Sequence, residues 1–200
     1  MTRSDDDLEI LYTTVGKPTC PYDSYKVVDK DGKGLPANTP GELLIKGPGV
    51  FTGYYKNPEE NEKMFDKDGY FKTGDVAKMD GNGNVTLVGR IKEMINRGGE
   101  SISAVEVEKL IADHPDVVLV AVVPMPDPEM GERICAYIQP RPGARLHFDD
   151  ILSFLKDRKA SVLHFPERIE LIDAMPLTKA EKIDKGALTK DIEKKMRSKG

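Results

Sequence analysis

The stretch from Lys72 to Glu100 contains the residue types that could bind a sugar-bearing ligand. Asp75 lies in a Thr-Gly-Asp turn, and Arg90 follows it beyond a short strand-like run. A carboxylate accepts two hydrogen bonds and a guanidinium donates in a fork, so the two side chains could converge on vicinal hydroxyls from opposite ends of one hairpin. Gly98 and Gly99 would let a ligand approach the backbone closely. The spacing therefore predicts a compact nucleotide-sugar site.

Composition excludes several classes of function. The 200 residues are 38% hydrophobic and 32% charged, which is typical of one or two soluble domains. The acidic N-terminus has no apolar run, and no stretch of about 18 apolar residues predicts a membrane span. A net charge of -4 gives no case for nucleic-acid binding. Cys20, Cys135 and the histidines lack metal-ligand spacing, so we expect none of these residues to bind a metal. Two widely separated cysteines are typical of a reduced, cytoplasmic environment.

Residues 1–89 predict a small, mostly antiparallel β-domain. Short apolar runs alternate with turn residues, and Asp-Gly pairs at 31–32, 68–69 and 80–81 are hairpin signals. A short helix is expected from Pro58, with Asn57 as its N-cap.

Residues 90–200 predict an α+β domain. Ser103 with Glu106 three residues later forms a capping-box pattern that opens a helix. A buried strand at Val117–Val123 and a partner strand at Arg133–Ile138 follow. Further helices are expected at 148–158 and 185–196, with a strand at 168–172. The fold class is therefore mixed, with the domain boundary near Gly89-Arg90.

Five ordered motifs resemble the adenylate-forming superfamily of AMP-dependent synthetases and ligases. They are GELLIKGPGVFTGYY (41–55), FKTGD (71–75), GRIKEMINRGGESIS (89–103), FPERIELIDAMP (165–176) and PLTKAEKIDKGAL (176–188). Within that superfamily the chain is most similar to the aryl-acid branch, typified by 2,3-dihydroxybenzoate–AMP ligase. Fatty acyl- and other acyl-CoA ligases share several of the motifs and remain the alternative.

The resemblance implies that the chain is a C-terminal fragment. Such enzymes use ATP and Mg²⁺ to activate a carboxylic acid as an acyl-adenylate, then pass it to a thiol of CoA or of a carrier protein's phosphopantetheine. The phosphate-binding loop, the magnesium-binding Glu block and most of the acid pocket would lie in a missing N-terminal domain. We therefore expect the last N-terminal subdomain plus a mobile C-terminal domain, inactive alone.

The resemblance also assigns roles within the Lys72–Glu100 stretch. Asp75 and Arg90 would bind the ribose of the nucleotide. Lys92 would be the hinge, within a hinge segment at 90–92, because an exposed polar residue can absorb a large backbone change. Gly98 and Gly99 would line the path of the pantetheine arm.

The remaining expected site residue is Lys182, matched to the family lysine that stabilises carboxylate and phosphate oxygens during adenylation. A mobile ammonium on a long stem suits a charge delivered by domain closure. The family usually has glycine just before this lysine, whereas this chain has Glu181. That difference bears on the efficiency of adenylation.

One function from another class remains open from the sequence. A stand-alone binding module could reuse this domain without catalysis, and an upstream phosphate loop would distinguish the enzyme from it. No feature favours a luciferase-like oxygenase. The sequence identifies neither the acid nor the thiol acceptor.

Overall fold

A computed structural model describes residues 2–198, which divide into two compact units. The first unit ends at Lys92 and the second begins at Glu93. The division falls three residues beyond the Gly89 position expected from the sequence, because the last strand of the first unit continues through Arg90.

The first unit is built on a four-stranded antiparallel sheet in the order β1-β2-β3-β4. Its elements are α1 (Leu8–Thr13), β1 (Ser24–Val28), β2 (Gly41–Lys46), α2 (Pro58–Met64), β3 (Phe71–Met79) and β4 (Val85–Arg90). One face buries a small core of Val27, Leu43, Ala77 and Val85. Asn57 accepts a hydrogen bond from the Glu60 N–H at the start of α2, as expected of an N-cap.

An aspartate organises each of the three turns that the Asp-Gly pairs predicted. Asp29, Asp66 and Asp80 each accept backbone N–H bonds from the residues two and four positions later, at 2.8–2.9 Å. A side-chain carboxylate that bonds its own loop in this way stabilises the turn locally. The turn at Asp80 joins β3 to β4 and thereby sets their register.

Within residues 93–198, the second unit holds a five-stranded sheet with three α-helices and a 3₁₀ helix at Val162–His164. Its elements are β5 (Met94–Arg97), β6 (Glu100–Ser103), α3 (Ala104–Ala112), β7 (Val117–Asp127), β8 (Gly131–Pro140), α4 (Phe148–Asp157), β9 (Arg168–Leu171) and α5 (Lys185–Arg197). The strand order is β6-β5-β8-β7, with β9 parallel to β8. The Ser103 hydroxyl accepts from the Glu106 N–H at the start of α3.

Both faces of this sheet are covered, which explains the continuous apolar run of β7. Alternate residues such as Val120 and Val122 pack towards α3 and α4, while Ala121 and Val123 pack towards α5. Strands buried on both faces lose the polar alternation of half-exposed strands. The β-sheet of the first unit and the α+β second unit together confirm the predicted fold class. No helix within residues 2–198 has the length and apolar character needed to span a bilayer.

Candidate functional site

A bulge in β3 presents Asp75. Leu44 pairs with Lys72, but Glu42 pairs with Val76, so β3 carries extra residues opposite β2. Gly74 sits within the bulge at φ +70°, a conformation that favours glycine. The Thr73 hydroxyl donates to the Leu43 carbonyl at 2.7 Å and accepts from the Asp75 N–H at 3.0 Å. The Thr-Gly-Asp motif therefore fixes the backbone that orients the Asp75 carboxylate.

Arg90 is the direct cross-strand partner of Asp75. Its Nε lies 2.7 Å from Asp75 Oδ1. The Arg90 side chain is 62% exposed and that of Asp75 22%, so a ligand can reach the pair from solvent. The structure thus brings together the two residues that the sequence placed at opposite ends of one hairpin, and they form an open ion pair.

Lys92 is exposed in the 3₁₀ turn Ile91–Glu93, where the two units join. The turn follows β4 directly and leads into β5. A single short turn with an exposed central residue is a suitable place for a change in backbone angles.

The glycine pair forms the tip of a hairpin. Gly98 and Gly99 have φ values of +58° and +92°, and they connect the paired residues Arg97 and Glu100. A two-residue hairpin turn with both φ values positive needs glycine or asparagine-like residues. The structure places these glycines between β5 and β6.

The tip of the β7–β8 hairpin packs against this glycine turn. The Gly98 N–H donates to the Met130 carbonyl at 2.9 Å, and the Asn96 N–H donates to Glu132 Oε2 at 2.7 Å. A Cβ added at Gly98 would lie 2.7 Å from Met130 Cε, whereas none of the described atoms lies within 4 Å of one at Gly99. The sequence gives no local signal for the contact with Met130, because Met130 and Gly98 lie far apart along the chain.

Lys182 lies on an exposed hairpin between Leu177 and Ile183, which form a single β-bridge. The Thr178 N–H donates to the Lys182 carbonyl at 2.7 Å, and the Lys182 N–H donates to the Thr178 hydroxyl at 3.3 Å. The backbone of the lysine is therefore held while its side chain points from a surface turn.

Glu181 occupies the left-handed region at φ +58°. A side chain in that conformation costs roughly 1–2 kcal/mol, which explains why glycine would suit this position.

We predict that Glu181→Gly leaves the free energy of unfolding unchanged or raises it by up to about 1 kcal/mol. The substitution relieves the backbone strain, but the greater freedom of glycine in the unfolded chain offsets part of that gain. Urea titration of the chain measures this difference. Glu181→Gln, which removes only the charge, and Glu181→Val, which adds a branched Cβ, are the matched controls. A loss of stability in the glycine variant, or a gain in the valine variant, would contradict the prediction.

A second polar region, within the described residues of the first unit, lies apart from the Asp75–Arg90 pair. A cleft of about 450 Å³ in the first unit is lined by side chains including Lys26, Asp66 and Asp68, but not by Asp75. Lys26 Nζ already forms an ion pair with Asp66 Oδ2 at 2.7 Å, so these two charged side chains in the cleft neutralise each other. In residues 2–198 no group of three or more His, Cys, Asp or Glu side chains is arranged to hold a metal ion.

Comparison with known proteins identifies the family. The C-terminal domain of AMP-binding enzymes matches residues 106–182, and the AMP-binding enzyme family matches residues 1–55. The chain belongs to the AMP-binding, adenylate-forming enzyme family. The salicylyl-CoA synthase / salicylate adenylyltransferase of Streptomyces sp. is 42% identical over 94% of this chain and 34% of its own length.

Two further members of the family are informative. The 2,3-dihydroxybenzoate-AMP ligase of Bacillus subtilis (strain 168) is 39% identical over 98% of this chain and 36% of its own length. A crystal structure of the anthranilate CoA ligase AuaEII in complex with anthranoyl-AMP superposes with a TM-score of 0.79 at 27% identity, over 92% of this chain and 36% of that one. The chain thus spans about a third of the length of these relatives.

Proposed function

We propose that this chain is the C-terminal part of an ATP-dependent, AMP-forming acid–thiol ligase that activates an aromatic carboxylic acid. The observation that carries the proposal is the open Asp75–Arg90 pair, in a chain of this family, next to the turn that joins its two units. The acids named for the three relatives, salicylate, 2,3-dihydroxybenzoate and the anthranoyl group, are all benzoates with a polar substituent at the ortho position. We therefore favour an ortho-substituted benzoate as substrate.

The first step joins the acid to AMP. A carboxylate oxygen attacks the α-phosphorus of ATP, the bond from that phosphorus to the bridging oxygen breaks, and pyrophosphate leaves. Asp75 accepts hydrogen bonds from the ribose hydroxyls, and Arg90 donates to the same sugar. Lys182 places its ammonium against the carboxylate and phosphate oxygens as charge develops on them.

The second step transfers the acyl group. The thiol sulfur attacks the acyl carbon, the bond from that carbon to the phosphate oxygen breaks, and AMP leaves while the thiol proton is released. Rotation at Lys92 moves Lys182 away from the reacting atoms and brings the Gly98–Gly99 turn towards them. This turn then lines the path of a pantetheine arm. The thiol belongs to CoA or to a carrier-protein phosphopantetheine. ATP arrives with Mg²⁺, for which residues 2–198 offer no cluster of ligands.

ATP–pyrophosphate exchange by the full-length protein tests the proposal. We expect salicylate, 2,3-dihydroxybenzoate or anthranilate to stimulate exchange, and octanoate and acetate to have little effect. Stimulation by octanoate alone would replace the aromatic substrate with a fatty acid. No exchange with any acid would favour a non-catalytic binding module. CoA and a phosphopantetheinylated carrier domain, offered separately to the preformed adenylate, identify the thiol acceptor.

The 200-residue chain by itself provides the control. We expect it to show no turnover and at most weak affinity for ATP, since the triphosphate and acid sites would lie elsewhere in the protein. Tight ATP binding by the isolated chain would contradict this division of the site.

A further inference from the structure

Lys185 joins two carboxylates from distant parts of the second unit. Its Nζ lies 2.6 Å from Glu93 Oε2 and 2.8 Å from Glu108 Oε1. The side chain of Lys185 is only 25% exposed, and that of Glu108 only 18%. The Glu93 side chain is 35% exposed. A lysine held by two carboxylates, one of them largely buried, is fixed more firmly than the members of an exposed surface pair.

The cluster is anchored to the centre of the unit. Glu108 lies on α3, and its Oε1 also accepts the Val122 N–H of β7 at 2.7 Å. Burial opposes the charge on Lys185, but the hydrogen bonds that its ammonium donates to Glu108 and Glu93 outweigh this effect and raise the pKa of the ammonium. Lys185 therefore stays charged at neutral pH and holds the first turn of α5 against α3 and the sheet.

The same turn of α5 forms the root of the Lys182 hairpin. The Asp184 N–H donates to the Pro176 carbonyl at 2.8 Å, and the Asp184 side chain accepts from the Ala187 N–H at 3.0 Å as the N-cap of α5. Ile183 packs on the core between the sheet and α5. Only two residues separate Lys182 from Lys185, so the place of Lys185 determines where the hairpin emerges.

At its other end, the cluster reaches the first residue of the unit. Glu93 directly follows Lys92 and ends the 3₁₀ turn. One ion pair thus connects the residue beside the proposed hinge with the segment beside the proposed catalytic lysine, although 92 positions separate Glu93 from Lys185.

We infer that Lys185 is a positioning residue, whose ion pairs with Glu93 and Glu108 hold the Lys182 hairpin in fixed relation to the start of the second unit. When the backbone rotates at Lys92, the Lys182 hairpin then moves as a rigid part of the second unit. The inference rests on the adenylation role proposed for Lys182 and the hinge role proposed for Lys92. Misplacement of a reacting group by about 1 Å can cost on the order of a hundredfold in rate, so a loose hairpin would slow adenylation.

Lys185→Met in the full-length enzyme tests this inference. We expect the kcat of ATP–pyrophosphate exchange to fall about tenfold to a hundredfold, while the KM for ATP and the rate of thiol transfer from preformed adenylate stay within about twofold. Lys185→Arg, which keeps the charge, should restore most of the exchange rate. Lys190→Met is the matched control, because Lys190 is exposed on the same helix.

Glu93→Gln provides a milder variant, since it leaves the bond between Lys185 and Glu108 in place. Combined with Lys185→Met, it should add little further loss, because both changes remove the same ion pair. Equal losses in both half-reactions together with a lower unfolding midpoint would show a purely structural role and overturn the inference.

Lys182→Ala, measured alongside, separates this inference from the proposed function. If Lys182→Ala does not reduce exchange, the proposed function of Lys182 fails and the positioning role fails with it. If Lys182→Ala removes exchange while Lys185→Met leaves it unchanged, only the positioning role is wrong.

Discussion

Lys182→Ala in the full-length enzyme is expected to reduce ATP–pyrophosphate exchange by about a hundredfold to a thousandfold, the usual loss when one group that stabilises developing charge is removed. Thiol transfer from preformed acyl-adenylate should stay within about threefold of wild type, because the proposed second step does not use this lysine. Single-turnover assays of the two half-reactions measure both effects.

The hairpin itself offers the control for this prediction. Lys179 is exposed on the same turn as Lys182, three residues earlier, and has the same charge. Lys179→Ala should therefore leave both half-reactions near wild type. Equal loss of both half-reactions in Lys182→Ala would remove the role assigned to Lys182, and equal effects of the two variants would reduce it to general surface charge.

Gly98→Val is expected to have the opposite selectivity. A branched side chain at φ +58° is strained, and its Cβ would lie 2.7 Å from Met130 Cε, so the turn must move. We expect thiol transfer to fall by about a hundredfold, since the pantetheine path is lined by this turn in the proposed second step. Pyrophosphate exchange should stay within about threefold. A urea titration checks that the variant is folded.

Two further variants separate crowding from backbone strain. Gly99→Ala adds a Cβ at φ +92° with none of the described atoms within 4 Å, so it reports strain alone. Gly98→Ala should cost less in a Met130→Ala background than in wild type, because the smaller side chain frees the space. An unchanged cost would show that Met130 is not the obstacle. A loss of exchange equal to the loss of transfer would contradict the assignment of Gly98 to the second step.

Much of the fold could be predicted because the signals for it are local. The Ser103 and Asn57 caps, the apolar run of β7 and the aspartate turns each depend on residues within a few positions of one another. Short-range patterns of this kind specify which element forms and approximately where it begins.

The β5–β6 hairpin could not be predicted in the same way. Its strands contain Asn96, Arg97, Glu100 and Ser101, which show no apolar alternation. It forms because Ile95 and Ile102 enter the core, and because Glu132 and the Met130 carbonyl on the neighbouring hairpin accept its N–H groups. Tertiary contacts outweigh weak strand propensity here. Helix α1 carries little periodic signal, because none of its six residues is buried.

The candidate site shows the same distinction between local and distant information. By itself, the sequence determined the order of the motifs, the family they indicate and the position of Asp75 and Arg90 at opposite ends of one short hairpin. Only the tertiary structure decided that Gly98 lies against Met130 and that Lys185 binds Glu93 across the second unit. The physical reason is range: turns and caps depend on neighbours in the chain, whereas an ion pair between residues 92 positions apart exists only after the sheet and its helices have packed.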